Sequence, residues 1–147
     1  MNKSFHLKIV PPTCTSQQTK VRVVKGRFVK HYKTQALKDA EKLFMLALKD
    51  HAPSKPIEGD IKVDCSWVFP WRKSELKGIQ NKYRSIPKTT KPDAGNSNKL
   101  LIDCMTKSGF WNDDAQIYSE TAGKYWGDDY GIHIQITWGV SWGFEPR

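Results

Sequence analysis

The chain has few cysteines, no long apolar run and no histidine pattern typical of a metal site. Its 147 residues include three widely spaced cysteines without a Cys-x-x-Cys pair, which disfavours a disulfide framework or a zinc knuckle and favours a reducing compartment. No apolar run approaches the ~20 residues of a membrane-spanning helix. The first residues lack the apolar core of a secretory signal. These absences predict a cytoplasmic protein that does not span a membrane.

Positive charge is concentrated in two segments of the chain. The net charge is +9, yet residues 1–38 contain nine Lys or Arg and no acid, and residues 71–92 contain seven against the single acid Glu75. Segregated positive charge favours a polyanionic partner, and nucleic acid is the commonest one in a cytoplasm. An anionic membrane surface and a solvated basic face without a specific partner are the alternatives.

Apolar periodicity predicts an α+β fold. Alternating residues predict strands at 5–10, 20–24, 27–31, 61–69, 115–124 and 131–138. Apolar residues three or four apart predict helices at 34–49 and 96–107, and a short helix is predicted within 76–83. We expect one domain over residues 1–147, with two or three helices packed on one mixed or antiparallel sheet. The basic segment at about 71–92 is predicted to be a substrate-facing loop.

Acids, carboxamides and a lysine lie near the two ends of the helix predicted at 96–107. Oxygen ligands of this kind suit a hard cation such as Mg²⁺, and a lysine can stabilise charge on a phosphate. The helix is ~18 Å long, so Asp93 and Asp114 meet only if the chain turns back alongside it after Gly109. In the alternative interpretation the acids are structural. Asp93 is then a loop or cap acid, Lys99 and Asp103 form an exposed pair on the helix, and Asp113 and Asp114 lie in a solvated turn. The residues concerned are Asp93, Asn96, Lys99, Asp103, Asp113 and Asp114.

The same stretch resembles the motif of the RusA family of Holliday junction resolvases. Residues 91–117 read KPDAGNSNKLLIDCMTKSGFWNDDAQI. The family pattern is, in outline, Asp-x-Asp-Asn-x-x-Lys, an Asp four residues later, and then Gly-Phe-Trp-x-Asp-Asp. The resemblance implies a homodimeric endonuclease, often encoded by prophages, that nicks four-way DNA junctions symmetrically in recombination and repair. It also implies dependence on Mg²⁺, for which Mn²⁺ substitutes.

The resemblance assigns roles to individual residues. The implied catalytic residues are Asp93, Lys99 and Asp114, the implied metal ligands are Asp93, Asp113 and Asp114, and the supporting residues are Asn96 and Asp103. A four-way junction is recognised by its shape and phosphates, so basic side chains are the candidate DNA contacts. The candidates are Arg22, Arg27, Lys30, Arg84, Lys88 and Lys91.

One position departs from the family pattern. The second aspartate of Asp-x-Asp falls on Gly95, which has no side chain. Losing one carboxylate lowers the ligand count and the negative charge of the site, so we expect weaker Mg²⁺ binding and impaired cleavage. The alternatives are a catalytically inactive four-way-junction-binding protein and a general basic nucleic-acid-binding module.

Overall fold

The described part of the chain folds into three α-helices, one five-stranded sheet and one two-stranded sheet. The computed structural model describes residues 1–15, 19–24, 26 and 28–139, with backbone alone for 19–24 and 28–31. The strands are β1 (Asn2–Leu7), β2 (Thr19–Val24), β3 (Phe28–Lys33), β4 (Ile61–Pro70), β5 (Ser85–Pro87), β6 (Ile117–Gly127) and β7 (Gly131–Trp138). The helices are α1 (Gln35–Leu48), α2 (Lys77–Lys82) and α3 (Ala94–Lys107), and a 3₁₀ turn spans Asp114–Gln116.

Strand β4 lies at the centre of the main sheet, whose strand order is β1-β7-β4-β6-β5. It pairs antiparallel with β7 and parallel with β6, so the sheet is mixed. Ile61, Val63 and Trp67 are buried, whereas Asp64 and Ser66 between them are only partly buried, as a strand with one polar face requires. The predicted α+β class with a mixed sheet and up to three helices is confirmed.

The helices α1 and α3 share one apolar core with this sheet. Among the apolar residues whose spacing predicts α1, Leu37, Ala40, Phe44 and Leu48 are buried, whereas Leu43 is exposed. The Phe44 ring meets the Trp67 indole edge to face, with ring centroids 5.9 Å apart, a geometry worth about 0.5–1.5 kcal/mol beyond area burial.

Within the described ranges, no helix combines the length and apolar character that crossing a bilayer requires.

Helix α3 begins earlier than predicted. The helix starts at Ala94 instead of Asn96, because Asp93 is its N-cap and Asp93 Oδ1 accepts the Asn96 backbone N–H at 3.0 Å. A carboxylate at this position both satisfies a free N–H and faces the positive end of the helix dipole. At the other end, Gly109 has φ +84°, the left-handed conformation that ends many helices.

The segment after β4 contains a strand that periodicity missed. β5 has only three residues, and it pairs with Tyr125–Gly127 at the end of β6. A strand this short has no alternation to detect, because it contains one inward and two outward residues. The basic segment 71–92 is therefore attached to the sheet edge through β5 and contains the predicted short helix as α2.

Thr34→Ala should lower the free energy of unfolding by about 1 kcal/mol. Thr34 Oγ1 accepts the Leu37 backbone N–H at 3.2 Å, and this N–H has no helical carbonyl to bind. Urea unfolding followed by circular dichroism measures the change. Thr13→Ala, at an exposed threonine outside regular structure, is the control and should have little effect. Equal losses in the two variants would contradict the capping role.

Candidate active site

A polar cavity of about 520 Å³ lies between α3 and β6. Gly95, Lys99 and Asp103 line it from α3, since residues four apart lie on one side of a helix. Asp114 from the 3₁₀ turn and Glu120 from β6 form the facing wall. The chain therefore does turn back alongside α3, and it brings Asp114 to the same space as Lys99 and Asp103.

A second cavity of about 390 Å³ adjoins the first and has two lining residues in common with it. Asp103 and Asp114 line both cavities, whereas Asp113 lines the second alone. The Asp113 carboxylate also caps the 3₁₀ turn, where its Oδ1 accepts the Ala115 N–H at 2.9 Å. Asp113 and Asp114 therefore lie side by side but face different surroundings.

Asp93 lines neither cavity, but its carboxylate lies next to Gly95, which lines the first. Its Oδ1 atom caps α3, and a Cβ placed on Gly95 would lie 3.3 Å from that same oxygen. The Asp93 carboxylate therefore lies beside the place where a side chain at position 95 would begin, and it does not join Asp114 in one cavity. Asn96 contributes its backbone N–H to this cap.

Lys124 of β6 holds the loop that leads into Asp93. Its Nζ donates to the carbonyl oxygens of Thr90 at 2.5 Å and Pro92 at 2.6 Å. Both carbonyls lie within three residues of Asp93, so these hydrogen bonds fix the backbone where the helix begins. The sequence interpretation overlooked Lys124, because a lysine on a polar strand looks like any other surface cation.

Lys88, a predicted DNA contact, turns inward in the same loop. The residue is only 5% exposed, and its Nζ donates to Thr90 Oγ1 and to the Lys91 carbonyl, both at 2.6 Å. The ammonium also lies 4.1 Å from the centroid of the Trp126 ring. Burial, followed by the nearby charge of Lys124, lowers the pKa of Lys88. Lys88 therefore stabilises the loop from its buried side through these hydrogen bonds.

The other predicted DNA contacts lie in two places. Arg84 and Lys91 are exposed on the basic segment that precedes α3. Arg22 and Lys30 are opposite each other in the register of the β2–β3 hairpin. Arg27 lies outside the described residues.

Glu120 is an acid of the cavity that the sequence interpretation missed. The Asn98 amide donates to Glu120 Oε1 at 2.6 Å, and Asn98 Oδ1 accepts the Trp67 indole N–H at 3.0 Å. Asn98 is completely buried, so the core orients the Glu120 carboxylate. No sequence pattern distinguishes Glu120 from an ordinary surface acid, because the residues around it on β6 are mostly polar.

The charges around the cavity influence one another. Burial raises the pKa of Asp103, the Lys99 charge lowers it, and the Asp114 charge raises it. The donor atoms are carboxylate oxygens, which suit a hard divalent cation. In the described part of the chain, no three of these acids bring ligand atoms within 4.8 Å of one another. The acids are therefore distributed around the cavity and do not converge on one point.

The chain matches a model of a known protein family. The family model described as Endodeoxyribonuclease RusA matches residues 10–137. The chain belongs to the RusA family. No curated protein matches the chain. Since the RusA family is a family of endodeoxyribonucleases, the cavity between α3 and β6 is the candidate site of phosphodiester hydrolysis.

Asp103→Asn should raise the melting temperature at neutral pH in the presence of EDTA. The pKa of Asp103 is raised in the folded protein, so its ionised carboxylate destabilises the folded state at any pH above that pKa. Below the ordinary value of 3.8, Asp103 is protonated in both the folded and the unfolded protein, and the penalty is absent. The gain should therefore be present at neutral pH and disappear as the pH falls to 3.8 and below.

Melting curves of the parent and the variant from acidic to neutral pH measure this difference. Asp60→Asn, which removes an exposed acid outside the cavity, is the matched control. A loss of stability in Asp103→Asn at neutral pH would contradict the inference that the ionised Asp103 carboxylate destabilises the folded protein.

Proposed function

We propose that this RusA-family protein is a Mg²⁺-dependent, structure-specific endodeoxyribonuclease that resolves Holliday junctions in DNA recombination and repair. The observation that carries the proposal is the convergence of Lys99 and Asp114 on one acid-lined cavity. The match to the RusA family supplies the reaction class. A lysine among carboxylates is the set of groups that metal-assisted phosphodiester hydrolysis uses.

Asp93, Asp113 and Asp114 are the proposed metal ligands, because carboxylate oxygens suit Mg²⁺ or Mn²⁺. Of the three, only Asp114 lines the first cavity, so metal binding would draw the other two carboxylates toward it. The bound ion would lower the pKa of a coordinated water and neutralise charge on the phosphate. Lys99 would hold a phosphate oxygen and stabilise the negative charge that develops on it. Asp103 and Asn96 support these groups, one from within the cavity and the other through the cap of α3.

The basic segments supply the attraction for DNA phosphates. We propose that the exposed Arg84 and Lys91 contact the DNA together with Arg22, Arg27 and Lys30. Lys88 contributes indirectly by holding the loop that carries Lys91. Symmetric nicking of a four-way junction requires two sites, so we propose a homodimer. We also propose a cytoplasmic location, because all three cysteines are buried and unpaired.

Gly95 favours a second candidate function, a junction-binding protein that does not cut. No acid lies in the first turn of α3 after the N-cap Asp93, and Gly95 itself adds no carboxylate to the cavity. A site with fewer carboxylates holds Mg²⁺ more weakly, while the basic segments that attract DNA are unaffected. Cleavage and junction binding are therefore separable in this chain.

A synthetic four-way junction and a linear duplex, each with Mg²⁺ or Mn²⁺, test both functions. The parent should bind the junction in preference to the duplex and cut it slowly, and Gly95→Asp should increase the cutting rate at least tenfold. The new Cβ would lie 3.3 Å from Asp93 Oδ1, so the substitution requires a shift of only a few tenths of an ångström. Equal affinity for junction and duplex would contradict both functions and favour a general nucleic-acid-binding module.

Lys99→Ala is the control for catalysis in this experiment. It should abolish cutting by the parent and by the Gly95→Asp variant while leaving junction affinity nearly unchanged, because one phosphate contact among several is lost. Cutting that survives Lys99→Ala would contradict the role of the lysine.

We further propose that Glu120 provides part of the negative charge that Gly95 lacks. Glu120 and Gly95 line the same cavity, and the hydrogen bond from Asn98 fixes the Glu120 carboxylate. Glu120→Gln should lower Mn²⁺ affinity about tenfold or more, as the loss of groups around a metal usually does. In the Gly95→Asp background, the same Glu120→Gln substitution should lower Mn²⁺ affinity much less than it does in the parent.

Electron paramagnetic resonance measures the Mn²⁺ affinity of the parent, the two single variants and the double variant. Junction cleavage by the same four proteins gives a parallel readout. Glu58→Gln, at an exposed acid away from the cavity, is the matched control. If the effects of Gly95→Asp and Glu120→Gln on Mn²⁺ affinity were strictly additive, the proposal that Glu120 compensates for the missing acid would be contradicted.

A further inference from the structure

The sheet carries a second cluster of ligating side chains on the face opposite α1 and α3. β1 and β7 pair so that His6 lies opposite His133, and the two imidazole rings stack with centroids 4.0 Å apart. Ile132 and Ile134 on either side of His133 are buried in the core, so His133 projects to the other face. The histidine spacing in the sequence indicates no metal site, because these two residues lie near opposite ends of the chain.

Asp129 completes this cluster from the turn between β6 and β7. Its Oδ1 lies 3.9 Å from His6 Nδ1, and its Oδ2 lies 3.7 Å from His133 Nε2. The three ligand atoms lie within 4.8 Å of one another. No other group of three or more His, Cys, Asp or Glu side chains meets this spacing in the described part of the chain.

The backbone holds His6 in a tautomer suited to ligation. Its Nε2 lies 3.1 Å from the Tyr130 carbonyl oxygen, and a carbonyl only accepts hydrogen bonds, so Nε2 carries the proton. In the neutral ring, Nδ1 then presents a lone pair toward the Asp129 carboxylate. A proton or a metal ion between these two electron-rich groups would make their approach favourable. Ligating histidines typically donate their other N–H to a carbonyl or a carboxylate in this way.

Gly131 makes the approach of His6 to the turn possible. It has φ +134°, and a Cβ at this position would lie 2.3 Å from His6 Nε2 and 2.4 Å from the Leu7 carbonyl oxygen. Any larger residue would push the His6 ring away from Tyr130. The turn is therefore shaped around the imidazole.

We propose that His6, His133 and Asp129 bind a divalent transition-metal ion such as Zn²⁺, with water in the open position. Two ligands at ~2.1 Å from a tetrahedral ion are ~3.4 Å apart, close to the 3.7 and 3.9 Å separations found here. Binding would require the more exposed His133 ring to rotate out of the stack, while His6 keeps its hydrogen bond to Tyr130.

Ligation also moves one proton on His133. Its Nε2 lies 3.3 Å from the Asp129 carbonyl oxygen, so without an ion this nitrogen carries the proton of a long hydrogen bond. When Nε2 binds the metal, the proton is carried by Nδ1 instead.

This site differs in chemistry from the acidic cavity between α3 and β6. Two imidazole nitrogens and one carboxylate favour Zn²⁺, Ni²⁺ or Cu²⁺, whereas the oxygen donors of the cavity favour Mg²⁺ or Mn²⁺. The bound ion would connect the edge strand β1 to the β6–β7 turn. The inference is independent of the proposed nuclease function, since it uses no residue of the cavity.

Titration of the untagged full chain with Zn²⁺ tests the site by calorimetry and by melting temperature. Zn²⁺ should bind one high-affinity site and raise the melting temperature, while Mg²⁺ should not bind there. His6→Gln and His133→Gln should each lower Zn²⁺ affinity at least about 100-fold, since even outer-shell losses cost 10–100-fold. Asp129→Asn, at an exposed turn residue, tests the third ligand without altering the strands.

The controls separate this site from other sources of Zn²⁺ binding. His51→Gln removes a histidine outside the cluster, and Asp114→Asn removes an acid of the cavity, so both should keep the high-affinity event. Binding that survives the His6 and His133 substitutions would overturn the proposal. So would a melting temperature that responds to pH but not to Zn²⁺, because the cluster would then be a histidine–carboxylate ion pair alone.

Discussion

The buried hydrogen bond from the Trp67 indole to the Asn98 amide connects the centre of the sheet to α3, and the acidic cavity depends on it. Asn98 in turn donates to Glu120 on β6, so one amide connects three of the elements around the site. Leaving a buried polar group unpaired costs about 1–3 kcal/mol. The rotation of α3 about its axis is therefore strongly constrained, and with it the direction of Lys99 and Asp103.

The parallel pairing of β4 with β6 brings the second group of acids to α3. Parallel neighbours require a long crossover connection, and here this connection contains α2, β5, α3 and the 3₁₀ turn. The turn that follows α3 delivers Asp114 to the side of the helix that carries Lys99. Lys124 on β6 then fixes the loop at the start of the helix. Both ends of α3 are thus held against the same strand.

Much of the fold was predictable from short-range patterns. The stripe of α1 and the alternation of β4 and β7 each contain enough residues for their period to be clear, and all three elements are confirmed. β5 is too short for a period. The start of α3 was misplaced because Asp93 and Asn96 are both good caps, and the choice depends on how the preceding loop is held. The inward direction of Lys88 depends on Trp126, which is distant in sequence.

The sequence by itself determined the chemistry that is present: the acids and lysine around α3, the two basic segments, the glycine at position 95 and membership of the RusA family. Only the tertiary structure decided which of these groups meet. It placed Glu120 in the same cavity as Gly95, left Asp93 outside both cavities and brought His6 to His133. The physical reason is that strand register and helix rotation are set by contacts between residues far apart in the chain, such as Trp67 with Asn98, which no local pattern records.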